Sequence, residues 1–358
     1  MLIGVPMTHA ASIPVYFATQ STPAQTGIAL AHFDTQSGQL TQPLLAAQTP
    51  DPAFLVIHPN DKYLYVCNSQ TPGGVSAFAI HPSGALSFLN HKVASGRGPS
   101  HVSLDRTGRY VLNANYGGGY VQIYSRNDDG TLRDRTAFVQ HTGSSVNPER
   151  QTRPYAHWFG VTPDNHFALA TDLGTDHIAI YRFDDHTGAL LPSDPPFASV
   201  SPGAGPRHIA WHPNHRQFYL IEELANAITL FSWDASKGVA TAQQTVSTLP
   251  SGFSGANTAA EIGVHPNGRF LYASNRGDDS IALFALDDAG QMTLRDHTSS
   301  LGKVPRYFAF DPTSHWLIVA NQASDSIAVF AVNQKTGELK ALAPTITLAK
   351  PGGVAFLK

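Results

Sequence analysis

Short apolar runs recur along the whole chain, separated by clusters of Gly, Pro, Asn and Asp. One stretch reads Pro206-Arg207-His208-Ile209-Ala210-Trp211, then Gln217-Phe218-Tyr219-Leu220-Ile221, then Ala227-Ile228-Thr229-Leu230-Phe231-Ser232, then Thr241 to Thr248. Each run is rich in β-branched and aromatic residues and is bounded by turn formers, which predicts four strands. The turn between the first two carries His-Pro-Asn or Asp-Pro-Thr. The turn between the last two ends on Gly, as at Asn127-Asp128-Asp129-Gly130 and Asp287-Asp288-Ala289-Gly290. These residue types pre-set or tolerate turn dihedrals. No stretch keeps a helical period beyond two turns.

The four-run unit repeats. The segment from His265 to Arg276, followed by Ser280 to Phe284, has counterparts at His58 to Asn68, Asp105 to Asn115, Thr162 to Asp172, His212 to Glu222 and Asp311 to Asn321. A half-copy, Val15 to Thr19, stands near the start. The aligned polar column is Thr19, Asn68, Asn115, Asp172, Glu222, Asn275 and Asn321, at intervals of 46 to 57 residues. Four strands per unit at this period predict blades of a β-propeller. First strands start at Ala53, Ser100, His157, Arg207, Ala260, Arg306 and Gly352. The last of these has no second strand after it, and the chain opens on a second strand with no first. Joining the two ends removes both free edges. The expected fold class is all-β: a seven-bladed β-propeller with four antiparallel strands per blade, closed by one C-terminal and three N-terminal strands. It is a single domain over residues 13–358, after an irregular leader over 1–12.

Composition narrows the partners. Charged residues are 14% of the 358 and hydrophobic ones 42%, with net charge −3. That is too apolar for disorder, and it lacks the basic footprint of a nucleic-acid binder. No apolar run approaches the ~20 residues of a membrane helix. A small-molecule partner is expected, with no nucleic acid and no membrane, and a monomer is the default. Met1 to Ser12 holds no Lys or Arg, so it lacks a signal peptide's basic start. The expected location is cytoplasmic; a periplasmic or secreted protein would need that segment to be a trimmed leader. Cys67 is the single cysteine, which excludes an internal disulfide and a cysteine zinc site. It is expected as a buried apolar residue. His58, His212 and His265 belong to separate turns, so no metal and no cofactor are expected.

Propeller geometry locates the chemistry. The start of each first strand and the end of each second strand lie at one end of the axial channel. The first-strand column holds Ser100, His157, Arg207, Ala260 with its neighbour Glu261, and Arg306. The second-strand column holds Tyr116, Glu223, Arg276 and Gln322. Arginine's rigid fork suits carboxylate or phosphate, and His and Glu can act as acid or base near neutral pH. A small anionic substrate is expected at this mouth. The glycine run Tyr116-Gly117-Gly118-Gly119-Tyr120 opens no helix, so it is not a phosphate loop. Phe253-Ser254-Gly255 lacks the spacing of a nucleophile elbow.

Five motifs carry a resemblance. They are Asn113-Ala114-Asn115-Tyr116-Gly117-Gly118-Gly119, Asn147-Pro148-Glu149-Arg150-Gln151, Gly205-Pro206-Arg207-His208, Ser274-Asn275-Arg276-Gly277 with Asp279-Ser280-Ile281, and Ala320-Asn321-Gln322. From Val15 to Phe356 the chain resembles the seven-bladed lactonase family, which includes propeller-type 6-phosphogluconolactonases and fungal 3-carboxymuconate cyclases. The resemblance implies a metal-independent lactonase acting on 6-phosphogluconolactone or an unphosphorylated aldonolactone. It places the catalytic set at His157, Glu223, Arg207 and Arg276, with the roles of His157 and Glu223 exchangeable. Tyr116, Asn115, Tyr155, Glu261, Arg306 and Gln322 are expected to bind substrate. Two departures stand out. Many members have Pro-His-Ala-His where this chain has Pro154-Tyr155-Ala156-His157, and Asn-Glu-Leu where it has Glu222-Glu223-Leu224. The extra Glu222 is expected to make the mouth more acidic. A cyclase-like lactonising or isomerising enzyme is the first alternative. A non-catalytic propeller binding module is the second, and it would be marked by an apolar ring face in place of a charged axial pocket.

Overall fold

The structure is a computed structural model that describes residues 12–20, 26–94, 96 and 98–357. Strands within the described residues form seven four-stranded antiparallel sheets around a central axis. The inner strands are Pro351–Phe356, Pro52–Ile57, Pro99–Leu104, Ala156–Val161, Pro206–Trp211, Thr258–Val264 and Pro305–Phe310, which define blades 1 to 7 in that order. The ring closes as the repeat predicts. Pro351–Phe356 pairs antiparallel with Ser12–Thr19, matching Val15 to Phe356 and Phe17 to Val354. The leader expected over 1–12 lies outside the described residues, apart from Ser12, which already begins a strand.

Burial follows distance from the axis. Second strands such as Tyr110–Asn115 are buried along their whole length, because a neighbouring blade covers each face. That is why they read as continuous apolar runs. Fourth strands such as Leu132–Gln140 lie at the rim and are mostly exposed, so their sequence is polar. Apolar clusters fill the gaps between adjacent blades. Tyr219, Ile221, Leu271, Ala273 and Phe284 join blades 5 and 6. Val15, Phe17, Ile318, Ile327 and Val354 join blades 7 and 1 across the closure. Cys67 is fully buried in one such cluster.

Polar ties repeat between blades. Tyr16, Tyr65, Tyr219 and Tyr272 each donate a hydroxyl to a glycine carbonyl in the next blade's third-to-fourth turn, at 2.6–3.0 Å. His58, His212 and His265 reach the next blade's first turn at 2.9–3.1 Å through Nε2. These histidines are turn residues, as expected, and they also staple neighbouring blades.

Every inner strand carries one extra residue against its partner. Pro52 pairs with Asn68 and Phe54 with Cys67, leaving Ala53 unmatched. The same shift falls at Ser100, His157, Arg207 and Arg306, within Ala260–Glu261, and within Gly352–Gly353. A β-bulge re-aims the side chain of its extra residue. Seven bulges at one level therefore turn one residue per blade toward one end of the channel.

The tyrosine ties yield a stability test. Tyr219→Phe leaves the buried Gly290 carbonyl without its donor, so a loss of about 1–3 kcal/mol is expected. Urea unfolding of the two proteins, read as a shift in midpoint at constant slope, checks it. An unchanged midpoint would show that the tie contributes nothing.

Candidate active site

The bulges and the second-strand ends enclose a cavity of about 320 Å³, lined by residues that include Ser100, Tyr116, Arg150, His157, Glu223, Arg276 and Arg306. Glu223 stands at its centre. It follows the second strand of blade 5, and its backbone N–H donates to Gly205 at 2.8 Å while its carbonyl accepts from Ala259 at 3.2 Å. Its carboxylate meets three arginines from different places in the chain. Arg150 Nη2 lies 2.7 Å from Oε1; Arg276 Nη2 and Arg207 Nε lie 2.9 and 3.2 Å from Oε2.

Each arginine is also fixed from behind. Arg276 donates to the carbonyls of Ala259 and Thr258 at 3.1 and 3.3 Å. Arg207 is buried and donates through Nη1 to the Ala260 carbonyl. Arg150 sits on the long connection between blades 3 and 4. There the Asn147 side chain accepts from the Glu149 and Arg150 N–H groups, each at 3.0 Å. Gln151 pins that connection to the Leu173 carbonyl and to Asp176, both at 2.8 Å. Arg306 differs from the other three. It lines the cavity, and its side chain makes no hydrogen bond or ion pair among the described residues.

The charges set the protonation states. Burial raises the cost of ionising Glu223, but Arg276, Arg207 and Arg150 outweigh it and hold the carboxyl at about 2. Glu223 is a fixed negative charge and a poor proton acceptor at neutral pH. Burial and then Arg276 press the Arg207 guanidinium downward, although a guanidinium stays protonated in proteins. His157 is held well below the ordinary imidazole range by burial, then by Arg207 and His208. It is the neutral, basic form at pH 7. Its Nε2 lies 4.0 Å from Glu223 Oε2, while its Nδ1 is sealed and has no partner. Burial also raises the Tyr116 hydroxyl, which lies 3.4 Å from Arg150 Nη2.

Not every expected residue reaches the cavity. His157, Glu223, Arg276, Arg306 and Tyr116 line it, and Arg207 backs it. Tyr155 packs behind Tyr116, 4.8 Å between ring centroids, with Arg153 over its other side. Asn115 is spent inside its blade, donating to the Tyr120 hydroxyl and accepting from the Gly118 N–H. Gln322 lies on a short 3-10 turn away from the cavity walls. Glu261 lies deeper in the channel, against His208 at 3.0 Å. Glu222 does not make the mouth more acidic. It is buried within blade 5, accepting from Thr229 at 2.7 Å, and burial raises its carboxyl.

Arg150 was not reached by the column argument, because its loop has no counterpart in the other blades. The Asn147-to-Gln151 motif was the signal that could have found it. Asp51 and Ser69 also line the wall. A larger cleft of about 620 Å³ at the junction of blades 1 and 2 carries Lys350 and shares Asp51. Among the described residues it holds no histidine and no cation other than Lys350. No group of residues suited to hold a metal ion occurs among the described residues.

Comparison with known proteins agrees with this architecture. The sequence profile described as "Lactonase, 7-bladed beta-propeller" matches residues 14–356. The chain is 35% identical over 345 residues to a 6-phosphogluconolactonase of Bacillus subtilis, covering 96% of this chain and 97% of that one. It superposes on the periplasmic gluconolactonase of Pseudomonas aeruginosa with a TM-score of 0.90 and 31% identity, covering 97% and 99% of the two chains. A protein from Lactobacillus plantarum gives a TM-score of 0.91 at 32% identity, covering 97% and 100%. With its seven bulged inner strands and its arginine-ringed axial cavity, this chain belongs to the seven-bladed β-propeller lactonase family.

Proposed function

We propose that this protein hydrolyses a sugar-derived lactone in the axial cavity. The observation that carries the reading is the charge arrangement: four guanidinium groups surround one small cavity, three tied to Glu223 and Arg306 untied. A lactone carbonyl becomes an oxyanion when water attacks it, and fixed cations favour that state over the neutral substrate. Arg276 and Arg306 are the groups for this task. Arg276 is held in place beforehand by Glu223 and two backbone carbonyls, so little reorganisation of that group accompanies the reaction.

Neutral His157 takes the proton of the attacking water at Nε2 and returns it to the ring oxygen as the C–O bond breaks. Glu223, already ionised and tied to three arginines, keeps them in position and offsets their charge. The roles that the sequence leaves exchangeable are thus divided. Arg207 and Arg150 hold Glu223, and Tyr116 forms the wall beside His157. A cavity of about 320 Å³ lies at the small end of ligand sites and suits a monosaccharide. The names of the Bacillus subtilis and Pseudomonas aeruginosa relatives point to the same substrate class. Two carboxylates, Glu223 and Asp51, stand against four arginines. That surplus of positive charge suits a lactone with an anionic group of its own.

The direct test is proton release in weak buffer after adding fresh lactone, with glucono-δ-lactone and 6-phosphoglucono-δ-lactone run in parallel and corrected for spontaneous hydrolysis. Acceleration is expected for both, with the higher kcat/KM for the phosphorylated one. No acceleration of either would contradict the proposal. His157→Gln is expected to lower kcat by about 10²–10⁴-fold, the usual contribution of a general base. Arg306→Met is expected to cut kcat/KM more for the phosphorylated lactone than for the neutral one. Equal losses on both would remove Arg306 from recognition of the anionic group.

Glu223→Gln tests the anchoring role through stability. A depressed carboxyl contributes stability that is complete above its unfolded value, about 4.3, and is lost as pH falls through about 2. Wild type should therefore lose stability between those two values, and Glu223→Gln should lose that part of the pH dependence. At neutral pH the variant is expected to be about 3–5 kcal/mol less stable, as when one partner of a buried pair is removed. Chemical denaturation at pH 7, 4 and 3 measures both effects. Superimposable pH profiles for the two proteins would contradict the anchoring role.

A further inference from the structure

The axial cavity has two unlike walls. Arg276 and Arg306 stand in blades 6 and 7. In a ring of seven, blade 6 lies across the axis from blades 2 and 3. Those two blades supply Asp51, Ala53, Ser69, Gly98, Pro99 and Ser100 to the cavity. Ser69 Oγ donates to the Pro99 carbonyl at 2.6 Å, and Ser100 Oγ to the His157 carbonyl at 3.0 Å. Both hydroxyl protons are directed to backbone, so each hydroxyl offers a ligand its lone pairs alone. Ala53, Gly98 and Pro99 carry no polar side chain. Asp51 is the charge on this wall.

The Asp51 carboxylate accepts no hydrogen bond and pairs with no cation among the described residues. Lys350 lines the neighbouring cleft with it and makes no ion pair to it. Other aspartates at this end of the ring are engaged. Asp176 accepts from Gln151 at 2.8 Å and from the Gly205 N–H at 2.7 Å. Asp279 accepts from the Val304 N–H at 2.8 Å and pairs with Lys303 at 2.9 Å. Asp325 accepts from the Lys350 N–H at 2.8 Å. The backbone of Asp51 is nevertheless fixed. Pro50 and Pro52 flank it. The Pro50 carbonyl accepts from Asn68 Nδ2 at 2.7 Å, and the Asp51 carbonyl from the Ser69 N–H at 2.8 Å. Its φ of +43° is in the left-handed region. Gly98 and Gly205 hold the same place before an inner-strand proline, and Val304 and Lys350 hold it in blades 7 and 1. Aspartate tolerates this region better than most residues, but with a strain that glycine escapes. A side chain that the fold leaves unengaged, on a backbone held rigid at a cavity wall, is placed as a ligand contact.

We infer that Asp51 reads the ring hydroxyls of the lactone and so sets specificity for a polyhydroxylated substrate. The inference rests on the lactonase reading above and deepens it. A carboxylate offers about four lone-pair sites and no donor, so both of its oxygens can accept from neighbouring hydroxyls of one sugar ring. The developing oxyanion belongs with Arg276 and Arg306. In a six-membered aldonolactone the C3 and C4 hydroxyls lie across the ring from that carbonyl carbon. They therefore face blades 2 and 3, where Asp51, Ser69 and Ser100 present acceptors. A ring bound the other way round would set its carbonyl oxygen against a carboxylate. The two walls thus fix one orientation, with cations at the reacting end and acceptors at the hydroxyl end. Hydrogen bonds to an ionised acceptor are the stronger kind, and a site built to bond a hydroxyl discriminates against an analogue that lacks it.

The test compares wild type, Asp51→Gly and Asp51→Asn. Both substitutions suit a left-handed backbone, and each protein is first checked for a cooperative thermal transition. Hydrolysis of glucono-δ-lactone is set against that of δ-valerolactone, a six-membered lactone without hydroxyls. Both are neutral, so recognition of an anionic group does not enter. The ratio of kcat/KM for the first to that for the second is expected to fall about 10- to 100-fold in Asp51→Gly, the size of hydrogen bonds to a charged group. Asp51→Asn keeps one acceptor oxygen and should lower the ratio less. A ratio in Asp51→Gly equal to that of wild type overturns the inference. Binding of glucono-δ-lactam and δ-valerolactam, whose amides resist hydrolysis, is measured in parallel by NMR titration. Wild type is expected to bind the hydroxylated lactam more tightly, and Asp51→Gly to lose that preference. Should wild type hydrolyse only glucono-δ-lactone, the lactams decide the matter. Should it hydrolyse neither lactone, the functional reading fails and the lactams decide the role of Asp51 alone. In either case the same preference in both proteins, or none in wild type, overturns it. If Asp51→Gly does not fold, Asp51→Asn carries the same comparisons, and an unchanged ratio in that variant overturns the inference.

Discussion

Four guanidinium groups around one small cavity repel each other, and the site depends on the Glu223 carboxylate, which pairs with three of them. Two unit charges 4 Å apart near a protein surface interact by about 4 kcal/mol. Arg150, Arg207 and Arg276 all lie closer than that to Glu223. The price of burying Glu223 is offset by three partners at once, and burying Arg207 is possible only because Glu223 and the Ala260 carbonyl are there. The cluster is one electrostatic unit assembled from blades 5 and 6 and a loop. Its geometry leaves Arg306 untied, and this surplus gives the cavity its chemistry.

The scaffold makes such a cluster possible without straining any blade. In each inner strand the extra residue of a bulge is turned to the channel, while the flanking residues keep their ladder bonds. A repeat built for packing therefore offers seven positions whose side chains are free of packing duty. Three of these positions carry small residues, at Ala53, Ala260 and Gly352, and three carry His157, Arg207 and Arg306. The layer below is apolar and aromatic apart from His101, His208 and Glu261, so water is kept from the floor of the site.

Much of this was legible in the residues themselves. The periodic polar column and the unmatched strands at the two ends specify blade number and closure, because each second strand must be apolar on both faces and each turn needs its Asn, Asp or Pro. His157, Arg207 and Arg306 were reachable because they occupy equivalent places in a repeat. Arg150 was not, since its loop has no equivalent in other blades and its direction is fixed by Asn147 and Gln151. Asn115 and Glu222 misled for a related reason. They occupy the right level, but their side chains turn into the blade to satisfy Tyr120, Gly118 and Thr229, and spacing alone does not tell inward from axial. Glu261 stands next to the bulged column, and only the register of that strand shows that it belongs to the floor.

The central claim is that the Glu223-centred cluster is where the substrate's reacting carboxyl carbon sits. A crystal structure with the hydrolysis product bound, gluconate or 6-phosphogluconate, tests this most directly. The product carboxylate is expected between Arg276 and Arg306, with Nε2 of His157 within hydrogen-bond reach of one of its oxygens and the Glu223 contacts intact. Product bound in the cleft around Lys350, or a carboxylate that displaces Glu223 from its arginines, would contradict it.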